Sequence, residues 1–264
     1  MDRRDLLKAA GGALLAGGSG ALALRLLTTS SAGAPGKDSP LAGKRMGMVI
    51  DVGKCQPDCD KCIKACQQEN NVVQAAAHKN HELAVHWIRK VTIRKKIETD
   101  EKAKKAEAAQ KSVILVCNHC DNPPCAQVCP VRATFKREDG IVLVDHHRCI
   151  GCRYCMIACP YNARYFNFED VEVHEEDLNK DRPKRSHGVA ESCTLCAHRL
   201  DAVDQDGNPS PRVPACVEAC ENGALAVGDM NDKTSTVYEL LRDYAVKRLK
   251  EDLGTEPKVH YIGL

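Results

Sequence analysis

The chain of 264 residues is long enough for one large domain or two small ones, and 43% of it is apolar. One Trp, three Phe and six Tyr supply little of the bulky surface that dominates an ordinary core, whereas sixteen cysteines stand far above normal usage, so something besides apolar packing organises the chain. The formal charge of +2 counts every thiol as neutral, and no basic patch interleaved with aromatics accompanies it, so nothing supports a nucleic-acid-binding reading and no nucleic-acid partner is expected.

Residues 1–34 read as a targeting segment. Arg3-Arg4 lies in a short charged stretch, followed by sixteen residues of Ala, Gly, Leu and Ser before Arg25. The pattern resembles a twin-arginine export signal, with Leu6 where Phe is usual. A membrane span needs about 20 apolar residues, and this run is shorter and rich in Gly. The twin-arginine route moves folded proteins, so it suits a chain that must take up a cofactor before export. Ala32-Gly33-Ala34 has the small residues of a cleavage site, although Pro35 disfavours cleavage there. The expected location is therefore the periplasm or the outer face of the cytoplasmic membrane.

From residue 46 onward the cysteines set the organisation. Cys55, Cys59, Cys62 and Cys66 form a first quartet, with three residues between its first two members and no closing proline. Residues 95–111 are mostly Ala, Lys and Glu with almost no apolar face, which reads as a solvated insertion. Cys117, Cys120, Cys125 and Cys129 follow, spaced by the turn-forming Asp121-Asn122-Pro123-Pro124 and closed by Pro130. Residues 133–136 and 141–145 read as two strands around the turn Glu138-Asp139-Gly140. They deliver the chain into Cys149, Cys152, Cys155 and Cys159, a C-x2-C-x2-C-x3-C-P run. Met156-Ile157-Ala158 inside that run is apolar and is expected to line a cofactor.

Residues 163–168 read as a further strand, 167–185 as a charged loop and 201–214 as a Pro/Gly-containing loop. The last quartet is split: Cys193 and Cys196, then Cys216 and Cys220, with a strand at 224–227. Thr236-x-x-Glu239 is a capping-box pattern, and Val237, Leu240, Leu241, Tyr244, Ala245 and Leu249 recur at helical spacing before Gly254.

Sixteen cysteines thus fall into four sets with none left over. The third set is the bacterial ferredoxin spacing, in which three thiolates of one tight loop serve one iron-sulfur cluster and the fourth serves its neighbour. The expectation is four 4Fe-4S clusters. Each carries about −2 when oxidised, so four move the charge from +2 to about −6. Disulfides are a default for an exported chain, but neighbouring cysteines at two- and three-residue intervals are poorly placed to pair. Structural zinc remains an alternative for the split quartet. Covalent haem is excluded, because no C-x-x-C is followed by His. No nucleophile-base constellation or nucleotide-binding glycine loop stands out, so no catalytic residue is expected.

Residues 46–264 resemble the four-cluster ferredoxin-like subunits of membrane-associated respiratory oxidoreductases, the electron-transfer subunits of dimethyl sulfoxide, polysulfide and nitrite reductase systems. The runs at 117–125, 134–140, 147–168 and 253–261 are similar, within that family, to the exported subunits of Dsr-type complexes linked to sulfite reduction. The resemblance implies an α+β fold of two nested ferredoxin-like modules. The outer module would take 46–111 and 186–264, the inner one 112–170, with a charged linker at 171–185. It also implies ligand exchange within each pair. The inner sites would be Cys117/Cys120/Cys125/Cys159 and Cys149/Cys152/Cys155/Cys129. The outer sites would be Cys55/Cys59/Cys62/Cys220 and Cys193/Cys196/Cys216/Cys66. The implied partners are an integral membrane quinol-interacting subunit of polysulfide-reductase type and a multihaem cytochrome c, with the chain peripheral to the membrane. A molybdopterin oxidoreductase or hydrogenase is the competing setting, and a zinc- or disulfide-stabilised interaction module the competing class. His119, His146 and His147 lie beside ligands, and Lys54, Lys61, Arg148, Arg153 and Arg199 are candidates to offset cluster charge.

Overall fold

The computed structural model describes residues 41, 43–72, 83–93, 111–168 and 178–264. The expected export segment, the insertion up to residue 110 and part of the charged linker, 169–177, lie outside the described residues. No helix among the described residues is long and apolar enough to cross a membrane.

Strand β1 (Met46–Asp51) is Met-Gly-Met-Val-Ile-Asp, an apolar run of the kind that needs cover on both faces. It occupies the interior of a four-stranded sheet with the order β8-β1-β10-β9. β8 (Leu225–Asp229) pairs with it antiparallel, β10 (Val259–Ile262) pairs parallel, and β9 (Val246–Lys247) forms an edge. Both ends of the described chain therefore build one sheet, and residues 52–224 are an excursion from it.

Three two-stranded ribbons support that excursion: β2 (Arg89–Ile93) with β3 (Lys111–Leu115), β4 (Thr134–Lys136) with β5 (Val142–Val144), and β6 (Tyr165–Phe166) with β7 (Ala190–Glu191). The β4–β5 hairpin is the one expected around Gly140, whose φ of +82° only glycine adopts freely. The strand expected at 163–168 is reduced to two residues because its partner, β7, is itself two residues long.

Among the described residues there are six helices, all short. They are α1 (Lys61–Asn70), α2 (Pro124–Gln127), α3 (Tyr154–Ala158), α4 (Ala197–Leu200), α5 (Ala215–Glu218) and α6 (Thr236–Asp243). Small sheets and short helices give an α+β class. The C-terminal helix differs from expectation in two ways. Its cap is Ser235, whose hydroxyl accepts from Val237 N at 3.3 Å, one residue before the anticipated Thr236. It also stops at Asp243, because Tyr244 turns extended and leads into β9.

The main core joins aliphatic residues of β1, β3, β8 and β10 to Trp87, Ile88 and Tyr261, and six cysteines are part of the same cluster. Trp87 Nε1 donates to Glu191 at 3.2 Å, and Tyr261 Oη donates to Ile114 O at 3.1 Å, so both large polar-tipped side chains are satisfied inside.

Candidate metal centres

All sixteen cysteines are free thiols. Three cavities gather most of them. Cys55, Cys59, Cys62 and Cys220 line the first, Cys66, Cys193, Cys196 and Cys216 the second, and Cys117, Cys120, Cys125 and Cys159 the third. Each holds three cysteines from one sequence set and one from another. In the fourth group, Cys149 and Cys152 act on Cys155 electrostatically. Cys129 Sγ is held by Thr134 N at 3.5 Å, at the start of the β4–β5 hairpin.

Local structure explains the gathering. α1 places Cys62 and Cys66 one turn apart, so each serves a different cavity. The intervals Cys125 to Cys129, Cys155 to Cys159 and Cys216 to Cys220 begin in α2, α3 and α5. The loops between cysteines are tightly wound: His119, Arg153, Leu195 and Cys196 all have positive φ, which L-residues adopt only where the surroundings impose it. Peptide N–H groups converge on sulfur, with Ala224 N on Cys220 at 3.3 Å, Leu195 N on Cys193 at 3.4 Å and Ala190 N on Cys149 at 3.5 Å. The Asn70 amide faces both Cys66 Sγ and Cys196 Sγ at 3.8 Å. Thr255, itself 2.5 Å from Tyr161 Oη, adds a hydrogen bond to Cys120.

The electrostatics fit bound positive charge. Burial first, with neighbouring cysteines adding to it, pushes the Cys62, Cys117 and Cys155 thiols up to about 11 and those of Cys120 and Cys216 to about 12, against the opposing pull of Arg164 on Cys117 and Cys155. Cys66 and Cys193 are raised as well, again by burial first. Buried, mutually repelling thiols become stable thiolates only around a cationic core. Among the described residues, no three His, Cys, Asp or Glu groups converge as ligands of a single ion.

The same interactions give the order of the cavities. Cys216 feels Cys62, Cys193 feels Cys117, and Cys155 feels Cys125. The sequence runs from the Cys55 cavity through the Cys193 and Cys117 cavities to the Cys149 group.

Other candidates are placed differently from expectation. Ile157 is 84% exposed, so the run expected to line a cofactor instead turns Ile157 outward. His119 is buried and accepts from Val142 N at 3.1 Å through Nδ1; burial first, then Lys258 and Arg164, push its pKa down to about 3, so the ring is neutral. Burial likewise pulls His146 down to about 4. The backbone N–H of His147 donates to Asp145 Oδ1 at 2.9 Å. Lys54, Lys61 and Arg148 pair with Asp51, Glu221 and Asp145, while Arg153 stacks over Phe166 and Phe168. Arg199 binds Glu218 and Val213 O. The cation that does lie among the thiols is Arg164, whose Nη2 donates to Cys125 Sγ at 3.2 Å. Sequence reasoning missed it because residues 163–168 read as an ordinary strand; its place four residues after Cys159-Pro160 is the only signal there was.

Residues 111–186 match the 4Fe-4S dicluster domain family. The chain is 40% identical over 239 residues to the Hdr-like menaquinol oxidoreductase iron-sulfur subunit 1 of Archaeoglobus fulgidus, covering 84% of each chain. It is 38% identical to the iron-sulfur cluster-binding subunit of menaquinone reductase of Nitratidesulfovibrio vulgaris, covering 83% of this chain and 88% of that one. It is also 33% identical to the arsenate respiratory reductase iron-sulfur subunit of a Shewanella species, covering 83% of this chain and 96% of that one. The chain belongs to this family of iron-sulfur subunits of oxidoreductase complexes. As a family member it is a non-catalytic electron-transfer subunit with 4Fe-4S cofactors. The thiol-lined cavities, the inward N–H groups and the buried cation are the surroundings such a cofactor needs.

Proposed function

We propose that this iron-sulfur subunit holds four 4Fe-4S clusters in a row and relays electrons along them between a quinone-reactive membrane subunit and a second redox partner. The observation that carries the reading is that each of the three cavities is lined by three cysteines of one sequence set and one of another. The ligand sets are Cys55/Cys59/Cys62/Cys220, Cys193/Cys196/Cys216/Cys66, Cys117/Cys120/Cys125/Cys159 and Cys149/Cys152/Cys155/Cys129. The three cavities leave four cysteines, and Cys129 completes the last set with Cys149, Cys152 and Cys155. Such clusters supply one-electron transfer with no open coordination position for substrate. The chain's residues position the sulfurs, exclude water from the two interior sites and direct N–H dipoles at sulfur. A nested pair of ferredoxin-like modules, 46–111 with 186–264 around 112–170, accounts for a sheet built from both ends of the described chain.

The relatives named for menaquinol and menaquinone support a quinone-reactive partner. The 253–261 tail favours the Dsr-type, sulfite-reduction-linked setting, with a polysulfide-reductase-type membrane subunit and a multihaem cytochrome c. The twin-arginine pattern favours a periplasmic location. Mass spectrometry of the native complex tests the partners: a molybdopterin subunit or hydrogenase in place of the cytochrome overturns the setting. Anaerobic metal analysis tests the cofactor, with about sixteen irons per chain expected, and zinc without iron overturning it. Replacing Cys159 by Ser is expected to disturb the Cys117/Cys120/Cys125 site more than the Cys149/Cys152/Cys155 site; the reverse result sinks the crossing.

A further inference from the structure

Arg164 is 3% exposed and lies between Cys159 and β6. Its Nη2 donates to Cys125 Sγ at 3.2 Å, and its Nε and Nη1 are buried without a hydrogen-bond partner. Among the described residues it forms no salt bridge, and the groups that act on it most strongly are Cys125, Cys117, Cys155 and Cys159. Three of these line the third cavity, and Cys155 belongs to the neighbouring group. A guanidinium cannot shed its proton, and a buried charge persists only with a counter-charge. The other interior site is served differently: the Cys66/Cys196 pair receives the neutral amide of Asn70, and Arg199, which acts on Cys196 electrostatically, is itself paired with Glu218.

We propose that Arg164 is a positioning residue for electron transfer, a fixed cation shared by the two inner sites that makes each of them easier to reduce. Adding an electron to either site adds one negative charge near an unscreened guanidinium, and that attraction is strong in a desolvated interior. The site that includes Cys125 gains more, because it also accepts the hydrogen bond. This inference rests on the four-cluster reading above.

The test is an anaerobic redox titration of the complete, cluster-loaded protein, followed by electron paramagnetic resonance, for the native chain, Arg164→Gln and Arg164→Lys. Arg164→Gln is expected to lower the midpoint of the Cys117/Cys120/Cys125/Cys159 site by at least tenfold in its reduction equilibrium, 59 mV for one electron. The Cys149-group site is expected to fall by less, and the two outer sites to stay in place. Arg164→Lys keeps the charge and is expected to retain most of the native values even if Arg164→Gln loads poorly. Native midpoints in a fully loaded Arg164→Gln, an equal drop in all four sites, or a Lys variant as low as Gln each overturn the proposal. Iron analysis on the same samples separates the two claims: too few irons in the native protein overturns the four-cluster reading, whereas full loading with unmoved potentials overturns the role of Arg164 alone.

Discussion

Gly151 shows how tightly one residue is held beside the third cysteine loop. Its φ is +71°, and an added Cβ would stand 2.6 Å from Gly188 O and 3.2 Å from the Phe166 ring. Gly151→Ala is therefore expected to cost about 1–3 kcal/mol and to disturb the site built by Cys149, Cys152 and Cys155 before the others; urea titration together with the cluster spectra checks both parts. Lys258 is a second such point. It is 1% exposed, and its ammonium bonds Gly140 O and, at 3.2 Å, Asp121 Oδ1. Burial pushes its pKa down against the pull of Asp121. Lys258→Met leaves Asp121 with Arg45 at 2.5 Å, so the expected loss is at the low end for a broken buried pair, about 3 kcal/mol, read as a shift in the urea midpoint. The cysteines were legible in the sequence because their spacing is chemical. Lys258, Asn70 and Arg164 were not, since a charge or an amide in a sequence carries no mark of the burial that gives it a role.

At the scale of elements, the short helices matter through what they carry rather than through their own stability. α1 has no side-chain cap at Asp60 and presents Cys62 and Cys66 to different cavities. Inserting one Ala between these cysteines rotates Cys66 by about 100° relative to Cys62. Both outer sites are expected to fail together, taking about half of the iron while the inner pair keeps its spectrum. Loss of a single site's iron would contradict the crossed assignment. α6 is an ordinary helix by contrast, and Ser235→Ala is expected to cost only about 1 kcal/mol of stability with cluster spectra unchanged. The β4–β5 hairpin was legible because turn and strands are adjacent in sequence. β6 was overextended because its length depends on β7, and no local pattern reports a distant partner that is only two residues long.

For the whole molecule, the order of sites was not legible at all, because it rests on contacts such as Cys193 with Cys117 and Cys216 with Cys62 that no spacing encodes. The two terminal positions in that order include partly exposed thiols, at Cys55, Cys59 and Cys220 and at Cys149 and Cys152, whereas all eight thiols of the two middle cavities are buried. The raised thiol pKa values also set how the apoprotein takes up iron. Below a pKa of about 11 to 12, each unit of pH raises the thiolate fraction tenfold, so the initial rate of anaerobic reconstitution is expected to climb from pH 7 to pH 9. A flat rate over that range would mean that thiol deprotonation does not limit loading.

Strand β10 follows every cysteine in the chain, yet it lies between β1 and β9, and the backbone N–H of Lys258 beside it bonds Asn118 O at 3.0 Å. Asp121 N and Asn122 N likewise bond Glu256 O and Thr255 O. During synthesis, then, all sixteen cysteines emerge before the segment that closes the sheet and braces the Cys117–Cys120 loop exists. The nascent chain has its ligands but not their frame, and the finished arrangement becomes a sign that translation has passed residue 262.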